Sequence, residues 1–135
     1  MEENYRANTR FADVLTHYIN RGLQKYVGES MTKQLLGEIY VYVRQTVDET
    51  FGKSKLNFTS KTKEWISQQL YSSIKIGKPE LIFTSDSQNA ISAPKIYDSI
   101  SISDLPVDEL RTIGSLFSDA DFAHIIAGEL RRRAP

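Results

Sequence analysis

Residues 103–133 read SDLPVDELRTIGSLFSDADFAHIIAGELRRR, and this stretch decides the fold class. Pro106 suits the first turn of a helix, where its missing N–H would have no intrahelical partner in any case. Asp108 and Glu109 follow where the helix dipole favours negative charge, and Val107, Leu110, Ile113 and Phe117 recur at helical spacing. Together they predict a helix of about three turns. Ser118 and Asp121 then match a capping box with the shorter acid, ahead of a second apolar stripe formed by Phe122, Ile125, Ile126 and Leu130. Arg131, Arg132 and Arg133 close that helix, where cations favour the carbonyl end. Almost nothing connects the two helices, so they should turn sharply at Ser118 and bury their stripes against each other or a shared neighbour.

The same periodicity predicts three longer helices upstream. Residues 4–27 put Phe11, Leu15, Tyr18, Ile19, Leu23 and Tyr26 on one face and Arg6, Arg10, Arg21 and Lys25 outside it, with Gly28 as the stop. Ser30 can cap a second helix, in which Leu36, Ile39, Tyr40, Val43, Val47 and Phe51 keep a 3.6-residue spacing up to Gly52. The run Ile39–Val43 has the composition of a strand, but the helical period extends from Leu35 to Phe51 and outweighs it. Thr59 or Ser60 can cap a third helix running to about Ile76, with Trp65, Ile66, Leu70, Tyr71 and Ile74 as its apolar residues. Gly77 and Pro79 end it.

From there to Ser103 no helical period is present. Leu81–Thr84 and Ile96–Ile102 read as extended, and Ile100 and Ile102 alternate with serines as a half-buried strand would. A β-hairpin with a loop over 85–94, or a docking segment, is expected around 80–102. The expected fold is therefore mainly α. A single domain over 1–135 would comprise a three-helix portion at 1–76, an extended or loop segment at 77–103 and a C-terminal helical hairpin at 104–133.

Composition narrows the function classes. An apolar fraction of 40% with 25% charged residues is that of a globular chain rather than a disordered one. Cysteine is absent, which excludes disulfides, thiolate zinc sites and thiol nucleophiles. The first residues carry no basic segment followed by an apolar one, and the longest apolar run is too short for a bilayer, so a cytoplasmic, non-membrane protein is expected. Charge balances overall at 17 basic and 17 acidic residues, but not locally. Six lysines (Lys53, Lys55, Lys61, Lys63, Lys75, Lys78) stand against Glu64 alone between Phe51 and Lys78, whereas six acids stand against Arg111 alone between Asp104 and Leu130. Either the molecule is electrostatically polar or the two stretches face one another.

No catalytic motif is present. There is no Gly-x-Ser-x-Gly elbow and no phosphate-binding glycine loop, and neighbouring acids such as Asp108 and Glu109 point in different directions on a helix. The two histidines each follow an acid by one helical turn, Asp13 before His17 and Asp121 before His124. A metal-dependent enzyme is the third reading, conditional on the first and last helices meeting. The second is a small nucleic-acid-binding or transcription-associated protein that uses the lysine-rich 53–78 face. The first is a non-enzymatic protein–protein interaction module such as an adaptor, assembly factor or inhibitor. Tyr18, Tyr26, Tyr40, Tyr42 and Tyr71 exceed what a small bundle can bury, and outward tyrosine is typical of an interface. Tyr42, Tyr40, Asp108 and Glu109 are the candidate contact residues, another protein is the expected partner, and a homo-oligomer is compatible with the same tyrosines. No cofactor-binding signature occurs.

Overall fold

The apolar stripes read from the sequence become the buried faces of the helices. The computed structural model describes residues 2–30, 32–76, 81–82, 91–92 and 95–134, with side chains described over 11–30, 32–74 and 95–134. Five α-helices lie among the described residues: α1 (Glu2–Leu23), α2 (Lys33–Lys53), α3 (Ser60–Ser72), α4 (Val107–Leu116) and α5 (Ala123–Arg133). The fold is mainly α. α2 packs between α1 and α3, α4 packs on α1, and α4 and α5 form the C-terminal hairpin. Leu15 and Ile19 of α1, Val43, Val47 and Phe51 of α2, Ile66 and Tyr71 of α3 and Leu110 and Ile113 of α4 are essentially sealed from water. Aromatic rings tie the layers together. Phe11 stacks on Phe51 at 5.1 Å between centroids, Phe117 meets Phe11 edge-on at 6.0 Å, and Trp65 meets Phe122 edge-on at 5.8 Å. Such pairs add about 0.5 to 1.5 kcal/mol each beyond their buried area.

Several boundaries differ from the sequence-based expectation. α1 ends at Leu23 and tightens into a 3₁₀ turn at Gln24–Tyr26, and Gly28 then takes a φ of 85°, in the left-handed region that favours glycine. α2 is capped by Thr32 rather than Ser30, through its side-chain oxygen and the Leu35 N–H. α3 is capped by Thr59 but stops at Ser72, short of Ile76. Lys75–Ile76 instead form β1, which pairs antiparallel with both β2 (Leu81–Ile82) and β3 (Ile91–Ser92) in the order β2-β1-β3. The strand expected over Ile96–Ile102 is not formed. That segment is irregular up to a 3₁₀ turn at Ile102–Asp104, because its described polar contacts run to side chains rather than to a neighbouring strand. Of the loop expected over 85–94, Ile91–Ser92 instead form β3, while 85–90 and 93–94, like Phe83, Thr84 and Lys78, lie outside the described residues. The capping box at Ser118–Asp121 also fails: α5 begins after Phe122, whose side chain makes no cap bond, because the chain first turns to bury Phe117 and Phe122.

α3 is enclosed on most sides, so its polar groups need internal partners. Gln68 is 3% exposed. Its amide donates to the Asp98 carbonyl at 3.0 Å and its carbonyl accepts from the Ile100 N–H at 3.0 Å, so one side chain imitates a strand partner for residues 98–100. Tyr97 completes that anchor, its ring stacked on Tyr40 at 5.2 Å and its hydroxyl paired with that of Ser72 at 2.6 Å. A second anchor comes from the end of α5. Arg133 donates to the carbonyls of Leu105 (2.7 Å), Ser103 (2.9 Å) and Ile102 (3.0 Å), and also to the buried carboxylate of Glu129 at 2.7 Å.

Hydrogen bonds from Arg132 and then Arg133 hold the Glu129 carboxyl down to about 2 from its ordinary value of 4.5. An acid with a depressed folded pKa stabilises the fold above its unfolded pKa and loses that contribution as pH falls toward the folded one. Glu129→Gln should therefore flatten the loss of melting temperature between about pH 4.5 and pH 2 relative to wild type; an unchanged acid profile would place the acid sensitivity elsewhere. Gln68→Leu should leave the Ile100 donor and the Asp98 acceptor unpaired and cost about 2 to 4 kcal/mol in chemical denaturation. The amide of Ile100 should then exchange with solvent before those of α2.

Candidate interaction surface

α1 and α2 meet in antiparallel fashion, and their outer edges leave an open groove of about 430 Å³. Val14 and Tyr18, one helical turn apart, form its α1 wall; Tyr42, Gln45, Thr46, Glu49 and Lys53 recur along one edge of α2 as the other wall. Val14 is 38% exposed and Tyr18 46% exposed, among the larger apolar side chains left in water. The sequence pattern placed Tyr18 on the buried face, and the structure corrects this: Leu15 and Ile19 fill that face, and Tyr18 lies at its margin. Tyr42 crosses the groove floor and donates its hydroxyl to the Tyr18 carbonyl at 2.8 Å. That crossing is possible only because Gly22 lacks a side chain, since a Cβ there would lie 2.1 Å from the Tyr42 ring. A glycine inside a helical pattern, one turn after Tyr18, was the available sequence signal for this close approach.

The other candidate residues are engaged within the fold. Tyr40 is half-buried, edge-on to Tyr71 at 5.5 Å, and donates to Glu64 at 2.6 Å. Burial and that carboxylate push its phenol well above the ordinary range. Burial first, then Tyr97, raises Tyr71 to about 12. Glu109 accepts from the Thr59 N–H at 3.2 Å and from the hydroxyls of Thr59 and Thr62, so a carboxylate of α4 occupies the N-terminus of α3. Asp108 is exposed. Among the lysines, Lys63 is held by Asp48 of α2 at 2.6 Å, and Lys61, 3.9 Å from Asp104, is the one point at which the basic and acidic stretches pair among the described residues. Lys63 accordingly holds the Asp48 carboxyl below its usual range. Lys53 and Lys55 are exposed, while the side chain of Lys75 and all of Lys78 lie outside what is described.

His17 and His124 are both exposed, and the Nδ1 of His124 pairs locally with the Asp121 carbonyl at 2.6 Å. No group of three or more His, Cys, Asp or Glu side chains suited to a metal ion occurs among the described residues. No described helix is long and apolar enough to cross a membrane.

Gly22→Ala should cost about 1 to 3 kcal/mol by forcing the Tyr42 ring aside. In a Tyr42→Ala background the same change should become stabilising by up to about 1 kcal/mol, the helix propensity of alanine over glycine. A double-mutant cycle from denaturant titrations checks the sign reversal.

No protein-family model, curated protein or solved structure matches this chain, so the reading of the surface rests on its geometry.

Proposed function

We propose that the chain is a non-enzymatic protein–protein interaction module and that the groove between α1 and α2 is its contact surface. The observation that carries this reading is the pair Val14 and Tyr18, left in water beside an open groove while the aromatic residues around them are packed. An apolar pair of this kind, framed by Gln45, Glu49 and Lys53, has the make-up of a small interface centre with a polar rim. Tyrosine adds a large contact area at a low entropic cost, which suits it to the centre of such a surface.

The lysine-face alternative finds less support. Phosphate contact at the start of α3 would need its free amides, and Glu109 already accepts from the Thr59 N–H. Trp65, the residue best suited to stack on a base, is 2% exposed and packed on Phe122.

A photo-reactive phenylalanine analogue at Tyr18 tests the reading in the native cells. It should cross-link to polypeptide, and Val14→Glu should suppress the product. The same probe at Ile125, an exposed apolar position on α5, should not cross-link. Absence of Tyr18 adducts, or equal labelling from Ile125, would reject the groove as a contact surface. A labelled-oligonucleotide anisotropy titration at low salt should stay flat, and saturable, steeply salt-dependent binding would restore the lysine face instead.

A further inference from the structure

The segment that crosses α3 is held as a bound peptide is held. Gln68 reads its backbone at two points, donating to the Asp98 carbonyl and accepting from the Ile100 N–H, both at 3.0 Å. One side chain is read closely as well. The Tyr97 ring stacks on Tyr40 at 5.2 Å and meets Tyr71 edge-on at 5.7 Å, and its hydroxyl pairs with that of Ser72 at 2.6 Å. Ile96 and Ile100 pack against the core, while Asp98 and Ser99 are exposed. Extended peptides are recognised in this way, by bonds to the main chain and pockets for selected side chains.

The same segment is a shallow cover. None of residues 95–101 is buried, whereas beneath them Gln68 is almost inaccessible and Tyr71 is sealed from water. A segment with few buried apolar groups opens at a lower free energy than the core it covers. Arg133 grips carbonyls from Ile102 onward, so the hinge falls at Ser101. Lifting residues 95–101 uncovers the Gln68 amide together with the Tyr40 and Tyr71 rings.

We propose that this face of α2 and α3 is a second protein-binding site, occupied in cis by residues 95–101 and opened to an extended segment of another protein. The seated segment sets the pattern that the partner carries: a tyrosine with an aliphatic residue before it and another three positions after it. The two positions between, which face water here, are free to vary. Attachment in cis makes the contact autoinhibitory, because an incoming segment competes against an effective concentration of about millimolar. The site is separate from the groove, since Tyr40 faces α3 and Tyr42 faces α1, and it stands or falls independently of that surface.

A labelled synthetic peptide of residues 95–101 is the probe, followed by fluorescence anisotropy. Full-length Tyr97→Ala, whose own segment has lost its anchor, should bind it at least about tenfold more tightly than wild type does. A peptide methylated on the Ile100 nitrogen cannot donate to Gln68 and should bind that variant at least about tenfold more weakly, as should a peptide carrying Tyr97→Ala. Native-state hydrogen exchange of wild type gives a readout that does not depend on how the variant folds. The Ile100 amide should exchange through an opening that leaves the amides of Ile66 and Leu70 protected. Exchange of Ile100 only together with α3, or a folded Tyr97→Ala chain that binds no peptide up to about 1 mM, would overturn the proposal. Equal binding of the methylated peptide would place the contact elsewhere and overturn it too. A wild-type dimer that the peptide dissolves would make a second copy the occupant, through exchange of this segment, and would overturn a separate partner.

Discussion

Enclosure of α3 is the constraint on which the rest of the structure depends. The helix is covered by α2 along one side and by Phe122 and the 95–105 segment elsewhere, and Thr62, Trp65, Ile66, Ser67, Gln68, Leu70 and Tyr71 are all buried. A helix so surrounded cannot leave polar groups to water, and a buried donor or acceptor without a partner costs about 1 to 3 kcal/mol. Its buried side-chain polar groups are therefore all paired, and several of them fix a neighbour. Thr59 and Thr62 fix α4 through Glu109, Gln68 fixes residues 98–100, and Ser67 closes back on the Lys63 carbonyl at 2.8 Å. No buried side-chain nitrogen or oxygen among the described residues lacks a hydrogen-bond partner.

That internal pairing also sorts the surface. Groups that would otherwise suit an external ligand are engaged within the fold: the Glu109 carboxylate with the Thr59 N–H, and the Tyr40 hydroxyl with Glu64. The oppositely charged stretches meet at the α3–α4 junction through one exposed pair, Lys61 and Asp104 at 3.9 Å, while Glu109 sits on the uncharged Thr59. Exposed apolar side chains remain at Val14 and Tyr18 along α1, and singly at Val41, Val107 and Ile125.

The sequence revealed what depends on neighbours three or four residues away. Leu15, Ile19 and Leu23, Val43, Val47 and Phe51, and Trp65, Ile66 and Tyr71 were identifiable as core from periodicity alone, and they are buried. The Thr59 cap and the two C-terminal helices were legible for the same local reason. What stayed hidden was set by contacts distant in the chain. Glu109 looked like an acid serving the dipole of its own helix, but it caps another helix 50 residues away. Arg133 looked like a cation for the end of α5, but it reaches carbonyls about 30 residues earlier. Tyr18 satisfied the helical period and still faces water, because a repeat of 3.6 residues defines a stripe and not the width of the neighbour that covers it.

The Ile96–Ile102 segment shows how a correct local reading reached a wrong element. Alternating isoleucine and serine does describe its half-buried residues, with Ile96, Ile100 and Ile102 packed against the core. A strand also needs a ladder, and the described contacts here come from side chains instead: Gln68 serves residues 98–100 and Arg133 serves residues 102–105. Side-chain partners satisfy these backbone groups without imposing the twist or spacing of a sheet, so the chain stays irregular. The consequence is cooperative. This connection is fastened at one end to α3 and at the other to the last turn of α5, so the C-terminal hairpin is coupled to the three-helix portion through two side chains as well as through its apolar contacts.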